Sequence, residues 1–83
     1  MKLSQLLQGL QVKNTYNDVD VIDVTSDSRV VEAGFLYVCI KGATFDGHNV
    51  AQEMLDKGAV AVVVERDLGI DNQIIVELTI GQR

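Results

Sequence analysis

Two polar clusters in the middle of the chain carry the side chains best suited to chemistry. The first is Thr25-Ser26-Asp27-Ser28-Arg29, and the second is Lys41-Gly42-Ala43-Thr44-Phe45-Asp46-Gly47-His48. Small hydroxyls, an arginine, a lysine and glycines are groups that loops use to hold phosphate oxygens, through side-chain donors and main-chain N–H groups. This composition favours a site for a phosphorylated ligand over a catalytic centre.

Each cluster also has a simpler interpretation. Residues 25–29 are common turn residues that hydrogen-bond their own backbone. The second cluster could be an ordinary strand-to-helix loop in which Asp46 caps the helix. Gly42 and Gly47 have the spacing of a phosphate loop, but His and Asn follow where that motif requires Lys and Ser or Thr. The residues alone leave both interpretations open, and they give no argument for ATP binding by this chain.

The other reactive side chains point to structure rather than to catalysis. His48 is the single histidine and falls where a helix would begin, so a local hydrogen bond is a simpler prediction than a general base. Cys39 lies inside an apolar run, which predicts a buried and inert thiol. Phe45 differs from the other aromatics because it falls in a candidate ligand loop, where it could stack on a base. The sequence has no spacing typical of a metal site.

A strand, a helix and a second strand are predicted to position both clusters. Phe35–Ile40 is an apolar run that suits a buried strand, and Ala59–Val64 suits a central parallel strand covered on both faces. A helix is predicted between them, beginning at Asp46 and ending at Gly58. Its buried stripe is Val50, Ala51, Met54 and Leu55. This βαβ unit is expected to have a right-handed crossover.

The remaining elements are shorter. Leucines at 3, 6, 7 and 10 predict a helix over Leu3–Gln8, ended by Gly9. Two further strands are predicted, one over Val19–Val24 and one from Ile74 to Leu78. Thr79–Arg83 has no pattern typical of a helix or a strand. The predicted fold class is α/β, a small mixed or parallel sheet with one βαβ unit.

Composition limits the possible partners and the possible compartment. The 83 residues make one small domain, residues 1–83, with 12 acidic and 7 basic side chains and a net charge of −5. An acidic chain without a basic stripe is a poor candidate for nucleic acid or an anionic membrane. With one cysteine, no signal peptide and no apolar stretch of about 20 residues, the expected location is the cytoplasm.

The order of these motifs resembles the N-terminal domain of the Mur ligases, and within that family the muramoyl-tripeptide synthetases. The resemblance covers about residues 1–77 and is carried by these segments: Thr-Ser-Asp-Ser-Arg at 25–29, Gly34, Phe-Leu-Tyr-Val-Cys-Ile-Lys-Gly at 35–42, Asp-Gly-His at 46–48, and Lys-Gly-Ala-Val-Ala-Val-Val-Val-Glu at 57–65. Residues 77–83 depart from the family pattern.

The resemblance implies a substrate-binding domain of an ATP-dependent ligase in peptidoglycan synthesis. Such a ligase adds a diamino acid to UDP-N-acetylmuramoyl-L-Ala-D-Glu, and its N-terminal domain holds the UDP part of that substrate. The resemblance assigns UDP contacts to Ser26 and Ser28, to Arg29 as a diphosphate or structural partner, and to Ala43, Thr44 and Phe45. It implies no catalytic residue, metal or cofactor in this chain. ATP and Mg²⁺ would belong to a central domain, and the incoming amino acid to a C-terminal domain, both of which are absent from these residues.

Three alternatives are compatible with the same residues. The sibling ligase that adds D-Ala-D-Ala shares the Asp-Ser/Thr-Arg and Asp-Gly-His pattern. A non-enzymatic module could instead pair a partner with an exposed sheet edge. An unrelated α/β fragment without a ligand is the third.

Overall fold

The computed structural model describes residues 1–76, which form a parallel sheet with helices on both faces. The strands, in sheet order, are β1 (Asp23–Thr25), β2 (Phe35–Val38), β3 (Ala61–Val64) and β4 (Gln73–Ile75). Helix α1 spans Leu3–Leu6, and a 3₁₀ turn at Gly47–Val50 leads directly into α2, Ala51–Asp56. All three strand pairings are parallel. The α/β prediction with a βαβ unit is therefore confirmed.

Alternate residues of the strands point to opposite faces, as the period of a strand requires. On β2, Leu36 packs with the α1 side of the sheet and Tyr37 packs with the α2 side. On β3, Ala61 and Val63 pack on the α1 side, whereas Val62 and Val64 pack on the α2 side. All four residues of β3 are buried, which confirms the prediction of a strand covered on both faces.

The predicted helix between Asp46 and Gly58 is present, but its first turn is the 3₁₀ turn Gly47–Val50 and α2 itself starts only at Ala51. The Asp46 carboxylate accepts a hydrogen bond from the His48 backbone N–H at 3.0 Å and so caps the 3₁₀ turn. Ala51 and Met54 are buried against β2 and β3, whereas the flanking residues of the predicted stripe are only half-buried. Gly58 follows the helix at φ +115°, the left-handed conformation that glycine adopts without strain.

The N-terminal segment closes the far edge of the sheet. The Lys13 N–H donates to the Ile75 carbonyl at 2.7 Å. The Asn14 side chain continues this ladder, because its Oδ1 accepts from the Ile75 N–H at 2.9 Å and its Nδ2 donates to the Gln73 carbonyl at 2.8 Å. The outward polar groups of β4 are thus paired, as buried or edge backbone groups require.

Several predicted element bounds were wrong. The strand predicted over Val19–Val24 is divided: residues 19–21 pair antiparallel with Met1–Leu3, and β1 starts only at Asp23. Strand β2 ends two residues early, so Ile40 is 52% exposed in the following loop. Helix α1 ends at Leu6 instead of residue 8, and Leu10 is exposed. The predictions for Leu78 and for residues 79–83 lie outside the described residues.

Candidate functional site

The loops that carry both polar clusters begin at the same edge of the sheet. Because every strand runs in the same direction, the segments after β1, β2 and β3 all start at the carboxyl edge, where open α/β sheets bind ligands. A depression of about 430 Å³ lies there, lined by Ser26, Asp27, Ser28, Arg29 and Phe45. The structure therefore brings four residues of the first cluster together with one residue of the second.

In the turn at residues 25–29, some side chains are hydrogen-bonded within the turn and others are not. The Thr25 hydroxyl accepts from the Asp27 N–H at 3.0 Å, and the Asp27 carboxylate accepts from the Arg29 N–H at 2.9 Å. Within residues 1–76, the hydroxyls of Ser26 and Ser28 make no side-chain hydrogen bond. The simpler interpretation, a self-capping turn, thus accounts for Thr25 and Asp27 and leaves two serine hydroxyls available in the depression.

The Arg29 guanidinium is held by the turn itself. Its Nε and Nη2 donate to the two Asp27 carboxylate oxygens at 3.0 and 2.9 Å. The Arg29 side chain is 86% exposed, so solvent screens this pair and it contributes little stability. Its main effect is on geometry, because a two-point contact fixes the orientation of the guanidinium plane beside the serines. The geometry favours a structural role for Arg29 over that of an unengaged anion ligand.

The same ion pair predicts an unusual titration. Hydrogen bonds from the Arg29 side chain and then from its backbone N–H lower the pKa of Asp27 from 3.8 to about 2. Because the folded-state pKa lies below the unfolded one, the pair supports the turn at neutral pH and is lost as pH falls toward 2. We expect the side-chain carboxyl ¹³C shift of Asp27 to titrate with a midpoint of about 2. In the Arg29→Gln variant this midpoint should rise, and an unchanged midpoint would contradict the assigned cause.

A lysine from α2's C-terminal end adds a second contact to the turn. The Lys57 ammonium donates to the Ser28 carbonyl at 3.1 Å, across 29 positions of sequence. The sequence predicted for Lys57 only a favourable place in the last helical turn. It also supports the backbone of a candidate ligand residue and adds a positive charge near the depression.

The second cluster forms a tight loop with Phe45 on its inner side. The Gly42 N–H donates to the Phe45 carbonyl at 2.7 Å, and Lys41 pairs with Asp46 across the base of the loop. The Phe45 side chain lines the depression and is 50% exposed. Ala43 and Thr44, which the resemblance also assigned to the site, lie at the exposed tip of the loop and do not line the depression.

His48 is buried at the start of the 3₁₀ turn, with both ring nitrogens engaged. Nδ1 lies 2.7 Å from the Asp46 Oδ1, and Nε2 accepts a hydrogen bond from the Glu65 N–H at 3.0 Å. Hydrogen bonds from the His48 backbone N–H and then from its ring hold the pKa of Asp46 below its ordinary value. The predicted local hydrogen bond is confirmed, and the bond to Glu65 is one that the sequence did not predict.

Neither a reactive thiol nor a metal cluster is found in the described part of the chain. Cys39 is buried, and burial raises the pKa of its thiol to about 12, so the nucleophilic thiolate is scarce at neutral pH. The prediction of a buried thiol is confirmed. Residues 1–76 contain no group of three or more His, Cys, Asp or Glu side chains that could hold a metal ion. Over the same residues, no helix is long and apolar enough to cross a bilayer.

A second cavity, of about 390 Å³, opens at the opposite, amino edge of β3 and β4. Its wall includes Asn14 and Gln73, whose side chains are already hydrogen-bonded within the protein. Asp71 gives it a negative charge, and none of the lysines and arginines among residues 1–76 lines it. Anions would therefore bind less favourably there than in the depression at the carboxyl edge.

Comparison with known proteins decides the family. Residues 21–82 match the family model described as Mur ligase family, catalytic domain. The chain belongs to the Mur ligase family. The match extends past residue 77, where the resemblance by motif was expected to end. The fold agrees with this assignment, because the solved structures that it resembles are also Mur ligases.

Two similar relatives are named as ligases of UDP-N-acetylmuramoyl-L-alanyl-D-glutamate. The chain is 44% identical over 79 residues to the UDP-N-acetylmuramoyl-L-alanyl-D-glutamate–2,6-diaminopimelate ligase of Bacillus velezensis, covering 92% of this chain and 16% of that protein. It is 39% identical over 76 residues to the corresponding L-lysine ligase of Staphylococcus epidermidis, covering 89% of this chain and 15% of that one. The chain thus spans about one sixth of the length of these Mur ligases.

Solved Mur ligases share its architecture. MurF from Acinetobacter baumannii superimposes with a TM-score of 0.70 at 25% identity, over 88% of this chain and 17% of that one. MurF from Thermotoga maritima, solved with ADP, gives a TM-score of 0.62 at 34% identity, over 69% of this chain and 14% of that one. The predicted resemblance to an N-terminal Mur ligase domain is confirmed.

Proposed function

We propose that this chain is the substrate-anchoring domain of a muramoyl-peptide ligase of the tripeptide-synthetase type. In this proposal the depression between Ser26–Arg29 and Phe45 holds the UDP end of UDP-N-acetylmuramoyl-L-Ala-D-Glu. The observation that carries the proposal is the pair of free serine hydroxyls in a depression at the carboxyl edge of a Mur ligase sheet.

The names of the relatives indicate which part of the substrate this segment would bind. The diaminopimelate ligase and the L-lysine ligase match the chain at 44% and 39% identity, and they differ in the amino acid that they add. A structurally similar ligase from Acinetobacter baumannii adds D-alanyl-D-alanine to a longer peptide. The three names share the UDP-N-acetylmuramoyl group. A segment common to all three is best suited to binding that shared end.

The chemistry of the depression suits a nucleoside diphosphate. Hydroxyls of Ser26 and Ser28 can donate to phosphate oxygens. The charges of Arg29 and Asp27 balance each other, so the additional positive charge near the depression comes from Lys57. The half-exposed ring of Phe45 offers an apolar face to a base. Ala43 and Thr44, at the loop tip, would reach the ligand only through their main chain or after the loop moves toward it.

The proposed role is to supply binding energy at a distance from the chemistry. A nucleotide held here would help to position the far carboxylate of the substrate in a neighbouring domain, where interactions in the transition state determine the rate. The ATP, the Mg²⁺ and the peptide-synthase activity are assigned to that remainder of the parent protein, in the cytoplasm. This chain alone is expected to form no amide bond.

Replacing Ser28 with Ala tests the assignment of the site. Loss of a hydroxyl that bonds a phosphate should weaken binding by about 1–2 kcal/mol, or roughly 5- to 30-fold in Kd. The measurement is a titration with UDP-N-acetylmuramoyl-dipeptide followed by amide shifts. In the wild type these shifts should include Ser26–Arg29 and Phe45.

Thr15→Ala is the matched control, because it removes an exposed hydroxyl at the amino-edge cavity. It should leave the Kd unchanged. Shifts confined to the amino edge, or a larger effect of Thr15→Ala than of Ser28→Ala, would indicate that the nucleotide binds in the amino-edge cavity. Either result would contradict the proposal.

The sibling ligase is a second candidate for the parent protein, since the structural matches above include MurF enzymes. Reading the coding sequence beyond Arg83 would distinguish the two candidates, because the two kinds of ligase would differ in their central and C-terminal domains. A Gly-Thr-Asn-Gly-Lys-Thr phosphate loop shortly after this segment would support a ligase of either kind, and its absence would contradict both.

A further inference from the structure

The buried imidazole of His48 connects two loops that are distant in sequence. Its side chain is 0% exposed. One nitrogen contacts Asp46, which ends the loop containing Phe45, and the other contacts the backbone of Glu65, immediately after β3. The ring therefore ties the loop after β2 to the end of the neighbouring strand.

The two contacts together determine where the ring proton lies. A backbone N–H can only donate, so the Nε2 that accepts from Glu65 must present a lone pair. The proton of the neutral ring is then on Nδ1, where it is donated to the Asp46 Oδ1 at 2.7 Å. The same carboxylate oxygen accepts the His48 backbone N–H at 3.0 Å, and its partner oxygen lies 3.5 Å from the Arg66 guanidinium.

Few other contacts attach this loop to the sheet. Its internal bonds run from the Gly42 N–H to the Phe45 carbonyl and from the Gly47 N–H to the Ile40 carbonyl, so they close the loop upon itself. Gly47 then packs closely on β2, because an added Cβ would lie 2.8 Å from the Tyr37 hydroxyl oxygen. Two side-chain contacts then link the end of the loop to the residues after β3. The buried imidazole accepts from the Glu65 N–H, whereas the Arg66 guanidinium, 3.5 Å from Asp46, is 53% exposed and its ion pair is screened by solvent.

We propose that His48 is a positioning residue for the nucleotide site. Its neutral ring, protonated at Nδ1, holds the Lys41–Asp46 loop so that Phe45 faces Ser26 and Ser28 across the depression. The effect on ligand binding rests on the proposed function above, whereas the protonation state and the loop restraint are properties of the free protein.

The first test needs no ligand and uses the wild-type chain. ¹⁵N spectra of the imidazole should show a protonated Nδ1 and an unprotonated Nε2, with a scalar coupling from Nε2 to the Glu65 amide across the hydrogen bond. A proton on Nε2, or no coupling to Glu65, would overturn the proposal before any variant is made.

The second test separates the two ring contacts with His48→Gln and His48→Asn. The Gln side chain can reach the place of Nε2 and accept from Glu65, whereas Asn can replace only the Nδ1 donor. Binding of UDP should be close to wild type in His48→Gln and about five- to tenfold weaker in His48→Asn. Asn49→Ala, at the exposed neighbouring position, is the control and should leave binding unchanged.

The location of the change separates positioning from general stability. In His48→Asn, UDP-induced shifts should diminish at Phe45 and persist at Ser26 and Ser28, with faster amide exchange at Gly42 and Gly47. An equal loss at both clusters, or wild-type affinity in both variants, would contradict a positioning role. If His48→Asn does not fold, the wild-type spectrum and the retained binding of His48→Gln decide the matter. If UDP produces no response in the wild type, the proposed function fails, and the ring spectrum and amide exchange still decide the restraint.

Discussion

Replacing Gly58 with Ala is expected to lower the free energy of unfolding by roughly 2–6 kcal/mol. Two costs add at this position. The backbone has φ +115°, where a side chain is strained, and such strain costs about 1–3 kcal/mol. The new Cβ would also lie 2.8 Å from the Ala33 Cα, and relieving such an overlap in packed structure costs about 1–3 kcal/mol. The backbone of Ala33 cannot relieve the overlap by changing rotamer, as a flexible side chain could.

Urea unfolding followed by circular dichroism measures this loss, and Gly9→Ala is the matched control. Gly9 also has a positive φ, of +86°, but nothing lies within 4 Å of an added Cβ. Its substitution should therefore show the conformational cost alone, about 1–3 kcal/mol. Equal losses in the two variants would mean that the contact with Ala33 relaxes freely, contrary to this account. A chain of this size has a total stability of only about 4–12 kcal/mol, so the Gly58 variant could be largely unfolded at 37 °C.

Truncating Met54 to Ala should cost about 2–5 kcal/mol, because it empties space in the core between α2 and the sheet. Met54 is 2% exposed and packs in the cluster with Tyr37, Val62 and Val64. The Asp46 cap at one end of the helical segment and Gly58 at the other limit how far α2 can move into the gap.

Met54→Leu is the control for this core, because it keeps the volume nearly constant and should cost less than about 1.5 kcal/mol. Both variants are to be compared by urea midpoint and by thermal unfolding, where 1 kcal/mol corresponds to about 4–8 °C for a domain this small. A loss below about 1 kcal/mol for Met54→Ala would show that α2 shifts to fill the gap, and that its two ends are less fixed than proposed.

The sequence was sufficient for those parts of the fold that depend on local pattern. The unbroken apolar run before Glu65 predicted a strand buried on both faces, and Gly58 predicted the end of α2, because both signals act within a few residues. The bounds of β1 were wrong for the opposite reason. Residues 19–21 pair with Met1–Leu3, about 18 positions away, and no local pattern distinguishes that pairing from a continuous strand.

In the candidate site too, the sequence predicted what depends on local pattern and missed what depends on distant contacts. Composition identified the turn at 25–29 but gave Thr25, Ser26 and Ser28 equal standing as hydroxyl donors. Only the geometry shows that Thr25 is occupied within the turn, whereas the two serines are free in the described structure. The contacts of Lys57 with Ser28 and of His48 with Glu65 span 29 and 17 positions. Both contacts depend on how α2 packs across the sheet. That packing is determined by the whole core and not by a local sequence pattern.

The amide of Asn14 has a consequence for handling this protein. It substitutes for a peptide group along β4, so the first fourteen residues cover a hydrogen-bonding edge of the sheet, and they also place Leu3 and Leu7 in the core. Deleting them would leave an apolar ribbon with open donors and acceptors, which recruits other chains into insoluble assemblies. Preparations trimmed at the N-terminus by proteases should therefore precipitate, and a bulky tag is better attached elsewhere than at Met1, whose amino group donates to the Val21 carbonyl.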